Sequence, residues 1–566
     1  MKRKEIVVCL LSLTVALTFF LPPVTYAQPT ANTAPFWYGT VDAYRPPPTG
    51  YNPFLFDDGF AGPPTMPCTG AAPSLSANLN YLNIPWMPGF DNNPDKQGGL
   101  IFNNSQKSWD GYTLLSCQNG CTHPEQGTTE FLALLVDNDG HFVHGWQNIL
   151  GFPARMWPGG YITGSRDYGA PDSPTLVKQD WCGNEIWHWN SSDFGIMTVN
   201  DDPPKPARIQ FHHDYQLQGN PVGYYAPPLD AENTFIPKTD GKVLALAEHV
   251  PEEAYSYPRG WPPEGHPARD TSNISQFPLL DDSIYIFHKR QKINFQWFAC
   301  DHFEQMGFSD DAKYGIMNTR PLVFPPPRTD WTHFNNVNWL GPNKWYNAGD
   351  QLFHPDNIIF DGRNNNIIGI IAYDDYAAFK KGDIIWKVGP DYGPGTPWES
   401  LGYIVGPHQA HIIPATLPGA GNILVMDNGG MSGYGALRED CSGTWPNALK
   451  DYSRVLEFNP KTYEVVWEYT QTNPTADLDG DGIIKGNERK FFTAFMGSAQ
   501  RLANGNTLIT ESNSGRVFEV TKEKEVVWEY IARTTSSGMP EQVGAAVYRA
   551  YKVPKKWVPS GVTCPQ

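Results

Sequence analysis

Five stretches of the chain share one rhythm, a short apolar run closed by tryptophan: GNEIWHW (183–189), KINFQWF (292–298), GDIIWKVG (382–389), YEVVWEY (463–469) and KEVVWEY (524–530). A second unit feeds an apolar strand from a Gly/Asn turn: GKVLALAEH (241–249), DNIIFDGR (356–363), GNILVMDNG (421–429) and GNTLITESN (505–513). Helical periodicity is scarce. The first unit reads as an outer strand closing a small sheet, the second as a strand leaving a tight turn. Such units recurring at about 45 residues predict an all-β propeller. A sandwich of irregular strands is the competing all-β reading. RVFEVTKEKEVVWEY (516–530) predicts a hairpin with a charged turn. TEFLALLVDNDGHFVHGW (129–146) predicts the first blade, with its turn at Asp137–Gly140. The propeller is therefore expected over 129–550, with a tail over 551–566.

Residues 28–128 lack this rhythm. YRPPPTGYNPF and PWMPGFDNNPDKQGG predict an irregular Pro/Gly-rich extension wrapping over the core. Ahead of it, Lys2, Arg3 and Lys4 precede an apolar run from Ile6 to Leu21, and Thr25 and Ala27 supply small residues for cleavage after Ala27. That is the pattern of a signal peptide over 1–27, and it predicts a secreted or periplasmic protein; an uncleaved anchor is the other reading. No later segment is long and apolar enough to span a bilayer.

Composition supports this picture. With 53 Gly, 52 Pro, 13% aromatic and only 18% charged residues, a loop-rich β protein fits better than a helical one. Cleavage removes three positive charges and one negative, taking the formal charge from −17 to −19. An acidic surface argues against nucleic acid and anionic membranes as partners. Seven cysteines follow residue 27, so pairing leaves at least one over. Cys117 and Cys121 are close enough in sequence for a short-loop bridge.

Four polar clusters fall where propeller strands enter or line the central channel. FHHDYQL carries His212, His213 and Asp214; DWTHFNNVNWL carries His333 and Asn335; FDGRNNN carries Arg363; GPHQAHIIP carries His408 and His411. A lone buried histidine is usually a hydrogen-bonded structural group. Four clusters with an arginine, brought together at a propeller axis, weaken that structural reading. Strand alternation sends His408 and Ala410 one way and Gln409 and His411 the other. Arg501, in SAQRLANG, is a further candidate for an inward-facing arginine.

The run DWTHFNNV, PDNIIFDGRNNNIIGIIAYD and GDIIWKVG resembles the signature of the bacterial aryl-sulfate sulfotransferases. HQAHIIPATLPGAGNILVMDNGG is similar to that family's His-x-Ala segment, FHHDYQL to its His-Asp segment, and GSAQRLANGNTLITESNSGRVFEVTKEKEVVWEY to its closing blade. WDGYTLL and LALLVDNDGHFVHGW read like its entry into the propeller, so the similarity runs over about 105–535. The resemblance implies a six-bladed propeller that moves a sulfuryl group from a phenolic sulfate to a phenol, with no nucleotide donor and no organic cofactor. It implies that His408 becomes transiently sulfated, with His411 the competing nucleophile. It places His213, His333 and Arg363 on the sulfuryl and bridging oxygens, and Asn335, His212, His411 and Arg501 as substrate contacts. Asn336 stands where the family usually has Ser, and ATLPGA (415–420) lengthens the segment after His408.

DLDGDGIIKGNE (477–488) matches the calcium loop independently of any family. Asp477, Asp479 and Asp481 take positions one, three and five, Gly482 the sharp turn, Ile483 offers its carbonyl and Glu488 a bidentate carboxylate. A structural Ca2+ is expected; an acidic solvated turn is the alternative. The formylglycine-sulfatase, phosphate-loop and serine-hydrolase elbow motifs are all lacking from the sequence. The competing functions are a propeller quinoprotein oxidoreductase and a non-catalytic binding module.

Overall fold

The computed structural model describes residues 98–564, apart from 166–171, 174, 191–207, 228–240, 251–278, 289–291, 309–320, 323–327, 377–378, 431–449, 451, 474, 477, 482–483 and 534–545. The expected signal peptide lies outside the described residues, as does most of the expected extension.

The chain is an all-β, six-bladed propeller. Blade 1 places Val547–Val553 innermost, followed by Tyr112–Thr122, Glu130–Val136 and Phe142–Trp146. Blade 2 runs outward from Leu150–Trp157 to Glu185–Asn190. Blade 3 runs from Arg208–Leu217 to Lys292–Phe298, with short strands added at both edges. Blade 4 spans Phe334–Trp339 to Ile384–Val388 and blade 5 Pro407–Ile412 to Val465–Thr470. Blade 6 runs from Ser498–Arg501 to Val526–Ile531, and Gly99–Asn103 pairs outside its last strand.

Each Trp-ended run is the fourth strand of a blade, and each Gly/Asn-led run is a second strand. The reason is local. Second strands are covered on both faces and are mostly apolar, as in Ile358–Gly362, which is buried throughout, Asp361 included. Fourth strands such as Ile384–Val388 and Val465–Thr470 are only partly buried, whereas Val526–Ile531 is buried throughout beneath Gly99–Asn103. The 516–530 hairpin and the Asp137–Gly140 turn form as expected, the latter with Gly140 N–H donating to Asp137 O at 3.1 Å.

Two boundaries move. Gly99–Asn103 and Tyr112–Thr122 belong to blades, so the propeller begins about 30 residues earlier than the sequence rhythm suggests. The expected tail from 551 contains the end of the innermost strand of blade 1. Cys117–Cys121 is bridged, and a second disulfide, Cys182–Cys564, ties the third turn of blade 2 to Cys564; Cys300 is buried. Among the described residues no helix is long and apolar enough to cross a membrane.

Candidate functional site

The inner strands do not run regularly along the axis. Register breaks interrupt Leu150–Trp157, Arg208–Leu217, Phe334–Trp339 and Pro407–Ile412. At or beside these breaks stand residues in the left-handed region: His213 (φ 53°), His333 (φ 49°) and Gln409 (φ 52°), with Met496 (φ 61°) just before the inner strand of blade 6. Backbone in this region costs roughly 1–2 kcal/mol for a residue with a side chain. Four such residues from four consecutive blades converge on one end of the channel.

The cluster they build contains the expected residues His213, His333, Arg363 and His408. The His213 and His333 rings meet edge to face, with centroids 4.7 Å apart. Arg363 N–H donates to His333 O at 3.0 Å, and its Nε donates to Asn364 Oδ1 at 3.1 Å. The Arg363 side chain also passes beside Gly406, where an added Cβ would lie 3.7 Å from Arg363 Cγ. His213 and His408 are buried, and His333 and Arg363 are partly buried, with His333 Nε2 itself shielded from solvent. Burial holds His213 well below the ordinary imidazole range, and the nearby His333, His212, Arg363 and His408 add to it. Burial, then Arg363, does the same for His408. Both rings are neutral at physiological pH and carry a lone pair.

His408 has a defined tautomer. Its Nδ1–H donates to Gly406 O at 3.0 Å, leaving Nε2 to accept from Met496 N–H at 3.0 Å. Attack by Nε2 on an electrophile exchanges that hydrogen bond for the new one.

The bulge at Gln409 corrects the expected alternation. His408 pairs with Met426 and His411 with Leu424, two residues apart on the partner strand and so on one face. Ala410 packs the other way, with Ile412, Ile423 and Val425. His411 is nevertheless not in the cluster. Tyr224 Oη donates to its Nε2 at 2.9 Å, its Nδ1–H donates to Gln409 O at 2.8 Å, and burial pushes its pKa down to about 4. It is a structural imidazole rather than the substrate contact expected. Arg501 is likewise removed from that role: it donates to Glu457 Oε2 at 2.6 Å, Pro418 O at 3.0 Å and Thr507 Oγ1 at 3.1 Å, joining blades 5 and 6. Asn335 spans blades 4 and 5 by donating from Nδ2 to Pro407 O at 3.1 Å, while its buried Oδ1 has no partner. Asn336 donates to Ala410 O at 2.6 Å. His212 stands behind His213, its Nδ1 2.8 Å from His213 Nδ1.

Beneath the cluster lies an ionic plug that the sequence reading missed. Asp214 Oδ1 accepts from Arg155 Nη2 at 2.6 Å, and Asp214 Oδ2 pairs with Arg549 Nη1 at 3.0 Å. Arg549 also donates to Asn335 O at 2.7 Å. Asp361 accepts from Ala410 N–H at 2.6 Å, and burial raises its pKa well above the carboxylate range. Two guanidiniums thus pair with Asp214, and Arg549 also acts on a carboxyl held neutral, Asp361. The missed signal was a charged pair, Arg549 and Lys552, inside the apolar strand VYRAYKV.

In the acidic loop, Asp477, Gly482 and Ile483 lie outside the described residues. Lys485 Nζ pairs with Asp479 at 3.0 Å and also with Asp481, while Glu488 Oε1 accepts from Leu478 N–H at 2.9 Å. Among the described residues no group of three or more metal-binding side chains gathers.

No protein-family profile and no curated protein matches the sequence. Solved structures resemble it in fold. One is a protein of unknown function from Bacteroides caccae, at 11% identity and a TM-score of 0.35, covering 79% of this chain and 99% of that one. A second is a putative 6-phosphogluconolactonase from Bacteroides fragilis, at 9% identity and a TM-score of 0.30, covering 80% of this chain and 100% of that one. A third, the periplasmic gluconolactonase of Pseudomonas aeruginosa, has 11% identity and a TM-score of 0.25, covering 78% and 96%. At these scores the likeness carries no functional argument.

Proposed function

We propose that the cluster is the active site of an aryl-sulfate sulfotransferase. In this reading, His408 accepts a sulfuryl group from a phenolic sulfate ester and passes it to a phenol. The observation that supports it best is the convergence of a neutral, buried His408 with two further histidines and Arg363. A neutral imidazole is a nucleophile at physiological pH. The transferring SO3 spreads its charge over three oxygens, which preorganised cationic donors stabilise. Arg363 and His333 suit the sulfuryl oxygens; His213 suits the bridging oxygen.

The steps balance. The His408 Nε2 lone pair forms an N–S bond as the donor O–S bond breaks, and phenolate leaves with the electron pair. An acceptor phenol oxygen then attacks sulfur, the N–S pair returns to Nε2, and the acceptor proton goes to a base. The mature protein is expected to release 4-nitrophenolate from 4-nitrophenyl sulfate in a single-turnover burst on its own and continuously only when phenol is present. His408→Ala is expected to lose both release and a mass adduct of one SO3 on 406–414. Absence of release across a range of aryl sulfates and acceptors would leave the propeller as a binding module.

Secretion to an oxidising compartment and a structural Ca2+ in the 477–488 loop belong to the same proposal. The two disulfides support the first. Lys485 pairing with Asp479 and Asp481 supports a cation-seeking carboxylate pair, which Ca2+ would take from the ammonium.

A further inference from the structure

At the other end of the strands from the histidine cluster, a cavity of about 310 Å3 lies between blades 3 and 4. His333 precedes the innermost strand of blade 4 and Trp339 ends it, which sets cluster and cavity roughly 20 Å apart at the rise of a strand. The walls are held by bonds that cross from blade to blade. Gln216, near the end of the innermost strand of blade 3, accepts from Trp339 N–H at 2.7 Å and donates to Asn220 O. Gln218 Oε1 accepts from Lys242 N–H at 3.0 Å, which leaves its amide nitrogen for a ligand. Lys242 reaches over to blade 4, where its Nζ donates to Tyr373 Oη at 2.8 Å and lies 5.1 Å from the centre of the same ring. Tyr373 is itself fixed, by its N–H on Asn357 Oδ1 at 3.1 Å and by its ring against Phe295, with centroids 5.7 Å apart. Gly341 N–H donates to Pro355 O at 2.9 Å beside Pro342 and Asp356, which are exposed and bring the cavity to the surface.

Asn220 also lines this cavity. It is 2% exposed, yet its Oδ1 accepts no hydrogen bond and its side chain caps nothing. The terminal torsion of an Asn is soft, so the amide can turn either end to a ligand without giving up a bond to the protein. Lys242 gives one of its three N–H groups to a neutral phenol oxygen and pairs with no carboxylate among the described residues. Two N–H groups remain for an anionic oxygen.

The lining thus combines three carboxamides, one ammonium, one carboxylate at the rim and the rings of Trp339 and Tyr373. The volume is at the small end of the range for ligand pockets and suits one six-membered ring with its substituents. Carboxamides both donate and accept, as hydroxyl groups do, and aromatic rings suit the C–H face of a saturated ring. A purely aromatic ligand would cover the amides without bonding them, which is unfavourable. We infer that this cavity binds a single acidic pyranose, a uronate. Its carboxylate sits on Lys242, its hydroxyls on Gln218 and Asn220, and its C–H face against Trp339. The inference does not rest on the sulfuryl-transfer reading, since no residue of the histidine cluster lines the cavity.

Isothermal titration of the mature protein with glucuronate, galacturonate, glucose and benzoate tests it. At least one uronate is expected to bind. Glucose, which lacks the carboxylate, and benzoate, which lacks the hydroxyls, should each bind about tenfold more weakly or worse. Lys242→Met keeps the apolar stem, removes the charge and should weaken the uronate about tenfold or more, while Lys242→Arg should restore most of the affinity. Tyr373→Phe keeps the ring, removes the oxygen that holds Lys242 and should weaken the uronate a few-fold; it serves alone if Lys242→Met does not fold. His408→Ala should leave uronate affinity unchanged, because its site is at the other end of the channel. No heat from either uronate at millimolar concentration would overturn the site. So would glucose or benzoate binding as tightly as the uronate, or an affinity unmoved in the Lys242 and Tyr373 variants. Loss of uronate binding in His408→Ala would place the sugar in the histidine cluster and overturn it as well.

Discussion

At His411 both ring nitrogens are occupied, one by the Tyr224 hydroxyl and the other by the Gln409 carbonyl. Its folded pKa of about 4 lies below the ordinary 6.5, so the unfolded chain binds the proton first as pH falls. Its contribution to stability is complete above about 6.5 and drains away toward pH 4, at about 1.4 kcal/mol per pH unit. His411→Leu leaves the Tyr224 hydroxyl without its partner and is expected to cost about 1–3 kcal/mol at pH 7. That penalty should shrink below pH 6.5, since the variant has no imidazole to protonate. Urea midpoints of the two proteins at several pH values measure it. A constant gap from pH 7 to pH 4.5 would sink the structural account of His411.

At the scale of the strand, the local signals were legible and the cross-blade ones were not. Trp-ended and Gly/Asn-led runs announced fourth and second strands because alternation, ring size and turn chemistry are all read within eight or so residues. The inner strands announced their histidines but not their bulges, since the break at Gln409 follows from the partner residues Met426 and Leu424 on another segment. Thus parity suggested that His408 and Ala410 share a face, and the extra residue reversed it. Met496 gave no usable signal, since it meets His408 across a gap of 88 residues in sequence. Gly99–Asn103 and Tyr112–Thr122 were hidden because their flanks are rich in Pro, Gly and Asn, which reads as loop. The acidic loop is the opposite case, a local signal with a local test. Lys485 pairing depresses the Asp479 carboxyl, so the loop binds cation most readily when both carboxylates are ionised, above the acid range. Calcium is expected to raise the melting temperature of the wild type and not of Asp479→Ala. A wild-type melting curve unmoved by EDTA and by added Ca2+ would remove the metal from this loop.

Over the whole molecule, ring closure draws on both ends of the described chain and on buried charge. Gly99–Asn103 seals the outer edge of blade 6, and Val547–Val553 supplies the inner strand of blade 1 while sending Arg549 to the axis and Lys552 to Glu519 at 2.6 Å. A closing strand with two buried cations is costly to remove from its partners, because each departure strands a carboxylate in apolar surroundings. The Cys182–Cys564 disulfide anchors the chain just beyond that strand to blade 2, closing a loop with a sequence separation of 382. A cross-link over so long a loop restrains the unfolded chain strongly, and removal of such a bond typically costs about 2–5 kcal/mol. It also holds Val547–Val553 against release from its neighbours. Cys182→Ser with Cys564→Ser is therefore expected to lower the unfolding midpoint and to raise amide exchange first in Val547–Val553, ahead of the second strands of blades 4 and 5. Exchange that rises uniformly, or a midpoint unchanged from the oxidised wild type, would mean that strand pairing and the Arg549 and Lys552 ion pairs close the ring without the covalent tie.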